Sequence, residues 1–371
     1  KLRLWLSIVI DDEITDDAGN GEFDAHTKPR PLPNLDCNII CGNSLVDEFE
    51  GISLISESDV IGNVSVGYQR SLVSYGVDEM IRHLIELQDK LFFTKEHNEK
   101  EEIKRNIQEI YDDIIIEQLK GNDEAISEYK SLNDETSKPF IIWQLYFPRV
   151  FRENKGFDIV IGNPPYVQIS KEENVSEEYK QYLRNRYGTS GGRLNLYIFM
   201  IHKGMELLNK EGILSYIIPN TLLTQDYYKD TRKLLLDKHS LIEIVDFEGM
   251  QFDNAVVENI TFFAGATHRD DYNVKVFRGI EKRFIFYKNI NVQKFMKQGN
   301  YAFNIYSNEF IDNLFENAKP LSTYCNINQA IALKGDKSIS VKDEYKEGYY
   351  KLLDGRNINK YVINWSNVEI S

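Results

Sequence analysis

An apolar run that ends at two consecutive prolines is the feature that most constrains the fold of this chain. Ile159, Val160 and Ile161 are apolar in succession, as is typical of a parallel strand that is buried on both faces. Asn163-Pro164-Pro165-Tyr166 follows at once, and two prolines cannot continue a strand because proline lacks the backbone N–H. We therefore predict a buried strand over residues 157–162 and a loop at its carboxyl end.

The segments after this loop alternate between helical and strand patterns. We predict helices over residues 194–208 and 227–238, and strands over 213–218, 241–247 and 260–264, with a turn at 211–212. Such alternation indicates an α/β fold with a doubly wound sheet. Ligands of doubly wound sheets bind outside the carboxyl ends of the strands, so the proline-containing loop lies where a ligand site is expected.

The region before the strand contains a helical repeat. Apolar residues recur at helical spacing over residues 78–119, and a polar break at 94–100 divides the repeat. We predict a helical hairpin insertion over 78–120 that packs on its own apolar stripe, because the repeat is too short to indicate a coiled coil for a partner. Residues 38–41 predict a short strand that ends in a turn at 42–45.

The loop residues suit chemistry on an amino group of a planar base. The side-chain oxygen of Asn163 can accept one amine hydrogen, and the Pro164 carbonyl is a fixed second acceptor because Pro165 follows it. Tyr166 offers a flat face for stacking. Fixed acceptors would free the nitrogen lone pair to attack an electrophilic methyl group and stabilise the positive charge that develops. The alternative interpretation is a strand-terminating turn with a surface tyrosine.

Several motifs together resemble one enzyme family. Residues 157–166, which read FDIVIGNPPY, resemble motif IV of the adenine-N6 DNA methyltransferases. Residues 42–45 resemble motif III, Asn195-Leu196-Tyr197 resembles motif V of the gamma class, 212–222 resemble motif VI, and 252–256 resemble motif VIII. Segments 4–6, 31–36, 143–148 and 355–361 are similar to the type IIG restriction-modification fusion enzymes and their relatives in phage defence.

This resemblance implies a function and a set of site residues. The expected activity is that of a site-specific, adenine-specific DNA methyltransferase, which transfers a methyl group from S-adenosylmethionine to a flipped adenine in duplex DNA without a metal ion. Motif III commonly carries Asp where this chain has Asn43. The resemblance assigns catalysis to Asn163, Pro164, Pro165 and Tyr166, stacking of the target base to Tyr166 and Phe252, and cofactor binding to Asn43, Ser44, Leu45 and Asn163.

The family's motif I, a glycine-containing loop, and its ribose-binding acid are not found in this sequence. Because the chain also begins at Lys1 rather than Met, we expect a piece of a longer polypeptide, with a methyltransferase fold that is incomplete at its amino terminus. Another chain or segment would then complete the sheet, and the isolated fragment would be inactive. We predict a methyltransferase domain over 1–272, then a connector and the beginning of a DNA target-recognition domain over 273–371.

Charge and cysteine content limit the remaining possibilities. The net charge of −14 argues against a non-specific nucleic-acid coat protein. The segment from Lys275 to Lys297 contains seven basic residues and a single acidic one, Glu281, which predicts either a solvated basic surface or a stripe that contacts phosphates. The three cysteines include no close CxxC pair, so we expect reduced, buried thiols in a cytoplasmic protein. No apolar run reaches the roughly twenty residues of a membrane span.

Two other functions remain open at this level. Loops with the sequence NPPY also occur in methyltransferases that act on ribosomal RNA or on a glutamine of release factors. A non-catalytic DNA-recognition scaffold that retains the fold is the third possibility. The acidic residues between 11 and 17 lack histidine partners, and we interpret them as a solvated loop rather than a metal site.

Overall fold

The computed structural model describes part of the chain, in two compact units whose boundary lies between Ile305 and Tyr306. The described residues are 37–54, 72–132, 139–188, 193–247, 258–280, 283–319, 321–326, 347, 351–352, 357–364 and 369–370. In the first unit the helices are α1 Leu72–Phe93, α2 His97–Gln118, α3 Asp123–Ser131, α4 Trp143–Tyr146, α5 Pro148–Glu153, α6 Glu177–Tyr187, α7 Leu196–Glu206, α8 Lys229–Asp237 and α9 Val292–Lys297. Its strands are β1 Glu48–Phe49, β2 Ile52–Ser53, β3 Phe157–Gly162, β4 Leu208–Pro219, β5 Ser240–Phe247, β6 Asn259–Gly265, β7 Asn273–Ile280 and β8 Arg283–Asn291.

The helices α1 and α2 form the predicted helical hairpin. Three residues connect them, and their apolar stripes meet through buried Ile81, Leu84, Ile107 and Ile114. A side-chain hydrogen bond of 3.0 Å from Gln88 Nε2 to the Tyr111 hydroxyl also joins the two helices. The helical period of the apolar residues therefore predicted this element correctly.

The centre of the first unit is a six-stranded mixed sheet with the strand order β3-β4-β6-β5-β7-β8. The strands β3, β4, β5 and β7 run in one direction, because β3 pairs with β4 and β5 with β7 in parallel, while β6 lies antiparallel between β4 and β5. The last strand, β8, pairs antiparallel with β7. This arrangement confirms the α/β fold class and shows that the sheet is mixed.

One edge of this sheet collects the carboxyl ends of the four parallel strands, and we call it the carboxyl edge. Pairing across the sheet also brings the first residues of the two antiparallel strands to the same edge. The residues of the carboxyl edge are Gly162, Pro219, Phe247, Ile280, Asn259 and Arg283. The proline-containing loop leaves the sheet at this edge, as the sequence predicts.

The strand β3 is exposed on one face, contrary to the prediction that it is buried on both. It is an outer strand of the sheet among the described residues, and Ile159 and Ile161 are 66% and 79% exposed. Val160 points to the opposite face and packs against the core. The apolar run correctly indicated a parallel strand, but it could not indicate whether a neighbouring element covers both faces.

Two local predictions are also wrong. Residues 38–41 form no strand, and only Gly42 makes an isolated bridge. Residues 211–212 do not form a separate turn, because β4 extends from Leu208 to Pro219 and includes them. The pairing register shifts here, because Phe157 of β3 pairs with Leu208 and Ile159 pairs with Ile213. The extra residues of β4 between these two pairs form a bulge, which explains why the sequence there resembles a turn.

The helices α7, α8 and α9 cover one face of the sheet and form the largest core with it. Within this core Arg232 of α8 is fully buried. Its guanidinium donates to the carbonyl oxygens of Leu222 and Gln225 at 2.8 Å and to that of Asn300 at 2.8 Å. A buried cation thus ties residues near 300 to the first unit.

The first compact unit extends beyond residue 272, where the sequence placed a domain boundary. β7 and β8 belong to the central sheet, and Phe303 and Ile305 are 1% exposed in its core. The second unit, described by itself, contains α10 Glu309–Asn317 and two short antiparallel pairs. These pairs are β9 Lys351–Leu352 with β12 Glu369–Ile370, and β10 Ile358–Asn359 with β11 Val362–Ile363.

Across the described ranges, none of the helices combines the length and the apolar character needed to cross a membrane.

Candidate active site

The entry into β3 requires a glycine. Gly156 immediately precedes the strand with a φ of 140°, and a Cβ atom there would lie 2.6 Å from the backbone nitrogen of Asn209. Only a residue without a side chain lets the backbone approach β4 so closely in this conformation. Gly156 therefore sets the register in which β3 reaches the carboxyl edge.

The loop after β3 presents its asparagine to the solvent. Asn163 and Pro165 are exposed, whereas Pro164 between them is buried. The side chain of Asn163 makes no hydrogen bond to any residue that the structure describes, so its amide is free to accept from a ligand. All described peptide bonds, including those of both prolines, are trans.

Tyr166, the last residue of the loop, is fastened to the sheet. Its hydroxyl donates a hydrogen bond of 2.9 Å to the Ile217 carbonyl oxygen of β4, and Asn259 Nδ2 donates to the same hydroxyl at 3.2 Å. Its ring meets the ring of Tyr197 edge to face, with centroids 6.2 Å apart. Burial raises the pKa of Tyr166, so the phenol stays protonated and able to donate.

The segment predicted to border the cofactor contacts α6. Asn43 Oδ1 accepts a hydrogen bond of 3.1 Å from the Leu45 backbone N–H, and Asn43 Nδ2 donates to the Tyr179 hydroxyl at 3.0 Å. Leu45 is buried in a small apolar cluster with Leu183 and Tyr187. The buried side chain of Leu45 therefore anchors the segment to α6.

Ser44 and the loop residues Asn163, Pro164 and Pro165 line one cavity of 390 Å³. Trp143 also lines it and donates a hydrogen bond of 3.4 Å from Nε1 to the Ser44 carbonyl oxygen. The structure thus brings together four of the residues that the sequence assigned to one site. Asn43, Leu45 and Tyr166 do not line this cavity but lie next to residues that do.

Lys203 lines the same cavity, and the sequence gave no signal for it. It is 4% exposed, and its Nζ lies 2.9 Å from Asp47 Oδ2. Arg186 bridges Asp47 and Glu206 at 3.0 and 2.7 Å. Burial alone would raise the pKa of Asp47, but hydrogen bonds and charges from Arg186 and Lys203 outweigh it and lower the pKa to about 2. Two cations and two carboxylates make this ion cluster electrically neutral, and Lys203 is its member that lines the cavity.

Three further predictions concern Phe252, the acidic segment near residue 11 and the basic stripe. Phe252, assigned to the target base, lies outside the described residues, as does the acidic segment near residue 11. The basic stripe from Lys275 to Lys297 is divided by the fold, because Arg283 lies on the carboxyl edge and α9 with Lys294 and Lys297 follows β8 at the opposite edge. Whether it contacts phosphates stays a prediction.

The three cysteines form no disulfide, but none of them is fully buried as predicted. Cys41 and Cys325 are exposed, and Cys37 is half-buried. The prediction failed because residues 38–41 form no strand that could cover Cys41. Within the described ranges, no group of three or more His, Cys, Asp or Glu side chains is arranged to hold a metal ion.

Comparison with known families gives a match over most of the chain. A profile of the Eco57I restriction-modification methylase family matches residues 1–252. RM.MjaORFECS2P of Methanocaldococcus jannaschii is 25% identical over 299 residues, which are 70% of this chain and 24% of that protein. The type II methyltransferase M.BstVI of Geobacillus stearothermophilus is 31% identical over 136 residues, which are 36% of this chain and 23% of that protein.

A solved structure gives a weaker likeness. The type IIL restriction-modification enzyme MmeI, solved in complex with DNA, has 17% sequence identity and a TM-score of 0.31. The match covers 51% of this chain and 27% of that enzyme. The chain spans about a quarter of the length of the curated relatives named above.

Proposed function

The chain belongs to the Eco57I restriction-modification methylase family, and on this premise we propose that the native protein is a site-specific DNA methyltransferase that modifies adenine. It transfers a methyl group from S-adenosylmethionine to the N6 amine of an adenine flipped out of duplex DNA. We further propose that it works in the cytoplasm as part of a restriction-modification or phage-defence system.

The observation that carries this proposal is the free amide of Asn163 on a loop whose last residue is anchored. Asn163 is exposed and makes no hydrogen bond to the described residues, while Tyr166 is held by β4 and β6. A turn that only terminated a strand would not need a tyrosine fastened at its end. This difference favours a binding loop over the alternative of a surface turn.

In the proposed reaction the loop residues hold the amine. Asn163 Oδ1 and the Pro164 carbonyl oxygen each accept one amine hydrogen, which draws the hydrogens out of the ring plane and leaves the nitrogen lone pair free to attack the methyl group. Because Pro164 is buried and followed by proline, its carbonyl keeps one direction and needs little reorganisation as charge develops. Tyr166 holds the base ring by stacking, and Phe252 is proposed to contact it from another side.

The described residues fit one wall of a cofactor site. Ser44 and Asn163 line the same cavity of 390 Å³, which is within the roughly 300–1,000 Å³ of ligand pockets. Asn43 can accept from a cofactor amine in place of Tyr179, whose hydroxyl lies 3.4 Å from Asn43 Oδ1. When bound, S-adenosylmethionine supplies the electrophilic methyl group. Ser44 lines this wall, and the buried side chain of Leu45 supports the segment that carries it.

The proposal includes another chain or segment that completes the sheet beside β3. Exposed isoleucines on an outer strand are unusual, because such a strand readily pairs with other chains. Ile159 and Ile161 are exposed and line the cavity, and a further strand beside β3 would cover them. The predicted recognition domain near the carboxyl terminus would select the DNA sequence.

The experiment that tests this function compares Asn163→Ala with Asn185→Ala in the native full-length protein. Asn185 is an exposed asparagine of α6 and serves as the matched control. We expect Asn163→Ala to lower DNA methylation about a hundredfold or more while duplex binding stays within about twofold. Asn185→Ala should methylate at the wild-type rate. Near-normal turnover by Asn163→Ala would reject the assignment.

A further inference from the structure

The hydroxyl of Tyr166 contacts two antiparallel strands, β4, which ends at the carboxyl edge, and β6, which begins there. It donates to the Ile217 carbonyl oxygen of β4 at 2.9 Å and accepts from Asn259 Nδ2 of β6 at 3.2 Å. Asn259 is the first residue of β6 and pairs with Pro219, the last residue of β4. The phenol is therefore held at the carboxyl edge by both strands.

An asparagine at position 259 lowers the stability of the fold. Its side chain is fully buried, and Oδ1 has no hydrogen-bond partner among the residues that the structure describes. A buried acceptor without a partner costs about 1–3 kcal/mol, whereas an apolar residue of similar shape carries no such cost. Stability alone therefore does not explain an asparagine here.

The hydrogen-bond directions follow from the number of protons. The phenol has one proton, and the Ile217 carbonyl oxygen can only accept, so that proton goes to Ile217. The phenol oxygen can then accept from Asn259 only if the amide presents Nδ2. The opposite amide orientation would leave one phenol proton for two acceptors. The arrangement is thus a directed chain from Asn259 through Tyr166 to Ile217.

From this geometry we propose that Asn259 is a positioning residue for the methyl transfer, and that it acts through Tyr166. This inference rests on the proposed function. The loop is fixed at one end by β3, and the amide of Asn259 fixes the other end. The ring of Tyr166, which also rests edge to face on Tyr197, is then held in one place for stacking with the target base.

The test is a double-mutant cycle in the native full-length protein, read as the single-turnover rate of DNA methylation. The variants are Asn259→Leu, Tyr166→Phe and the double substitution. Each single substitution removes the amide–phenol hydrogen bond, and Tyr166→Phe also removes the bond to the Ile217 carbonyl oxygen. We expect Asn259→Leu to lower the rate about fivefold and Tyr166→Phe at least as much. The double variant should be no slower than Tyr166→Phe alone, because without the phenol the Asn259 amide has nothing to position.

Three further measurements separate positioning from a structural role. Asn259→Leu removes the buried acceptor that lacks a partner, so its thermal midpoint should equal or exceed that of wild type. The KM for DNA should change less than about twofold, so the loss falls on kcat. With 2-aminopurine at the target position, Asn259→Leu should raise the fluorescence of the flipped base, because stacking on a mobile ring quenches it less.

The outcomes distinguish this inference from the proposed function. If the wild-type protein methylates no DNA, the proposed function fails and this inference fails with it. If the wild type methylates DNA but Asn259→Leu stays within twofold of it, only the positioning role is overturned. A double variant that is about fivefold slower than Tyr166→Phe alone overturns the inference as well, because the two residues would then act independently.

Discussion

Ile161 lies beside Ser215 in the parallel pairing of β3 with β4, yet Ile161 is 79% exposed and Ser215 is 5% exposed. Burial therefore decreases sharply between two neighbouring strands, and the larger, apolar side chain is the exposed one. This contrast supports the proposal that a further strand covers β3 in the native protein, since the free energy falls when an exposed isoleucine side chain is removed from water.

A labelling experiment tests that further strand. In a background with the three cysteines replaced by serine, the thiol of Ile161→Cys should react at least about tenfold more slowly in the native full-length protein than in the 371-residue chain. Phe93→Cys serves as the control, because Phe93 is 77% exposed at the end of α1, and it should react equally in both. Equal reactivity of Ile161→Cys in both would contradict the proposal.

The buried guanidinium of Arg232 predicts a large effect on stability. Arg232→Met leaves the carbonyl oxygens of Leu222 and Asn300 without these donors, so the free energy of unfolding should fall by about 3 kcal/mol. Urea denaturation measures this change. Lys229→Gln on the same helix removes an exposed charge and should change the free energy by less than about 0.5 kcal/mol. A loss of similar size in both variants would refute the role of Arg232.

His202 predicts part of the acid sensitivity of the fold. Burial, with smaller contributions from the charges of His239 and Lys238, lowers the pKa of His202 from 6.5 to about 4. Between these two values the unfolded chain binds a proton that the folded chain does not bind, so stability falls as the pH falls from 6.5 to 4. Above pH 6.5 the histidine is neutral in both states and contributes no pH dependence.

The measurement for His202 is the free energy of unfolding at a series of pH values. In His202→Gln the loss of stability between pH 6.5 and 4 should be smaller than in wild type by up to about 3 kcal/mol. His97→Gln, at an exposed position, should follow the wild-type curve. If His202→Gln also follows that curve, the imidazole is protonated in the folded state and the account of its burial is wrong.

The division of the basic stripe predicts that only one part of it contacts DNA. Arg283 is exposed on the carboxyl edge, the edge at which the loop leaves the sheet, whereas Lys294 and Lys297 are exposed near the opposite edge. Arg283→Gln should weaken duplex binding and lower the slope of log K against log salt by about 1. Replacing both lysines by glutamine should leave the slope unchanged. The reverse pattern would place the DNA at the opposite edge.

The sequence predicted the elements whose signals are local. The helical period between Ile81 and Ile114 indicated the hairpin, and the apolar run before Pro164 indicated β3. Relationships between distant residues could not be predicted in this way. Asn259 and Tyr166 are separated by 93 residues, and Lys203 and Asp47 by 156, so no periodicity connects them.

The same limit explains the errors in burial. The apolar run of β3 is the same whether one face or both faces are covered, so it could not predict the exposure of Ile159. A polar residue at the start of an apolar strand, as at Asn259, was the one available hint of the contact with Tyr166. It carries little information alone, because strands often begin with polar residues.

The central claim is that the native protein methylates the N6 amine of adenine in DNA, and the identity of the methylated product tests it most directly. The full-length protein is incubated with S-adenosylmethionine labelled in its methyl group and with duplex DNA, ribosomal RNA or a release factor. We predict label in DNA alone. After the DNA is digested to nucleosides, the label should be in N6-methyl-2′-deoxyadenosine. Label in RNA or in protein glutamine, in another base of DNA, or in none of the three substrates would contradict the account.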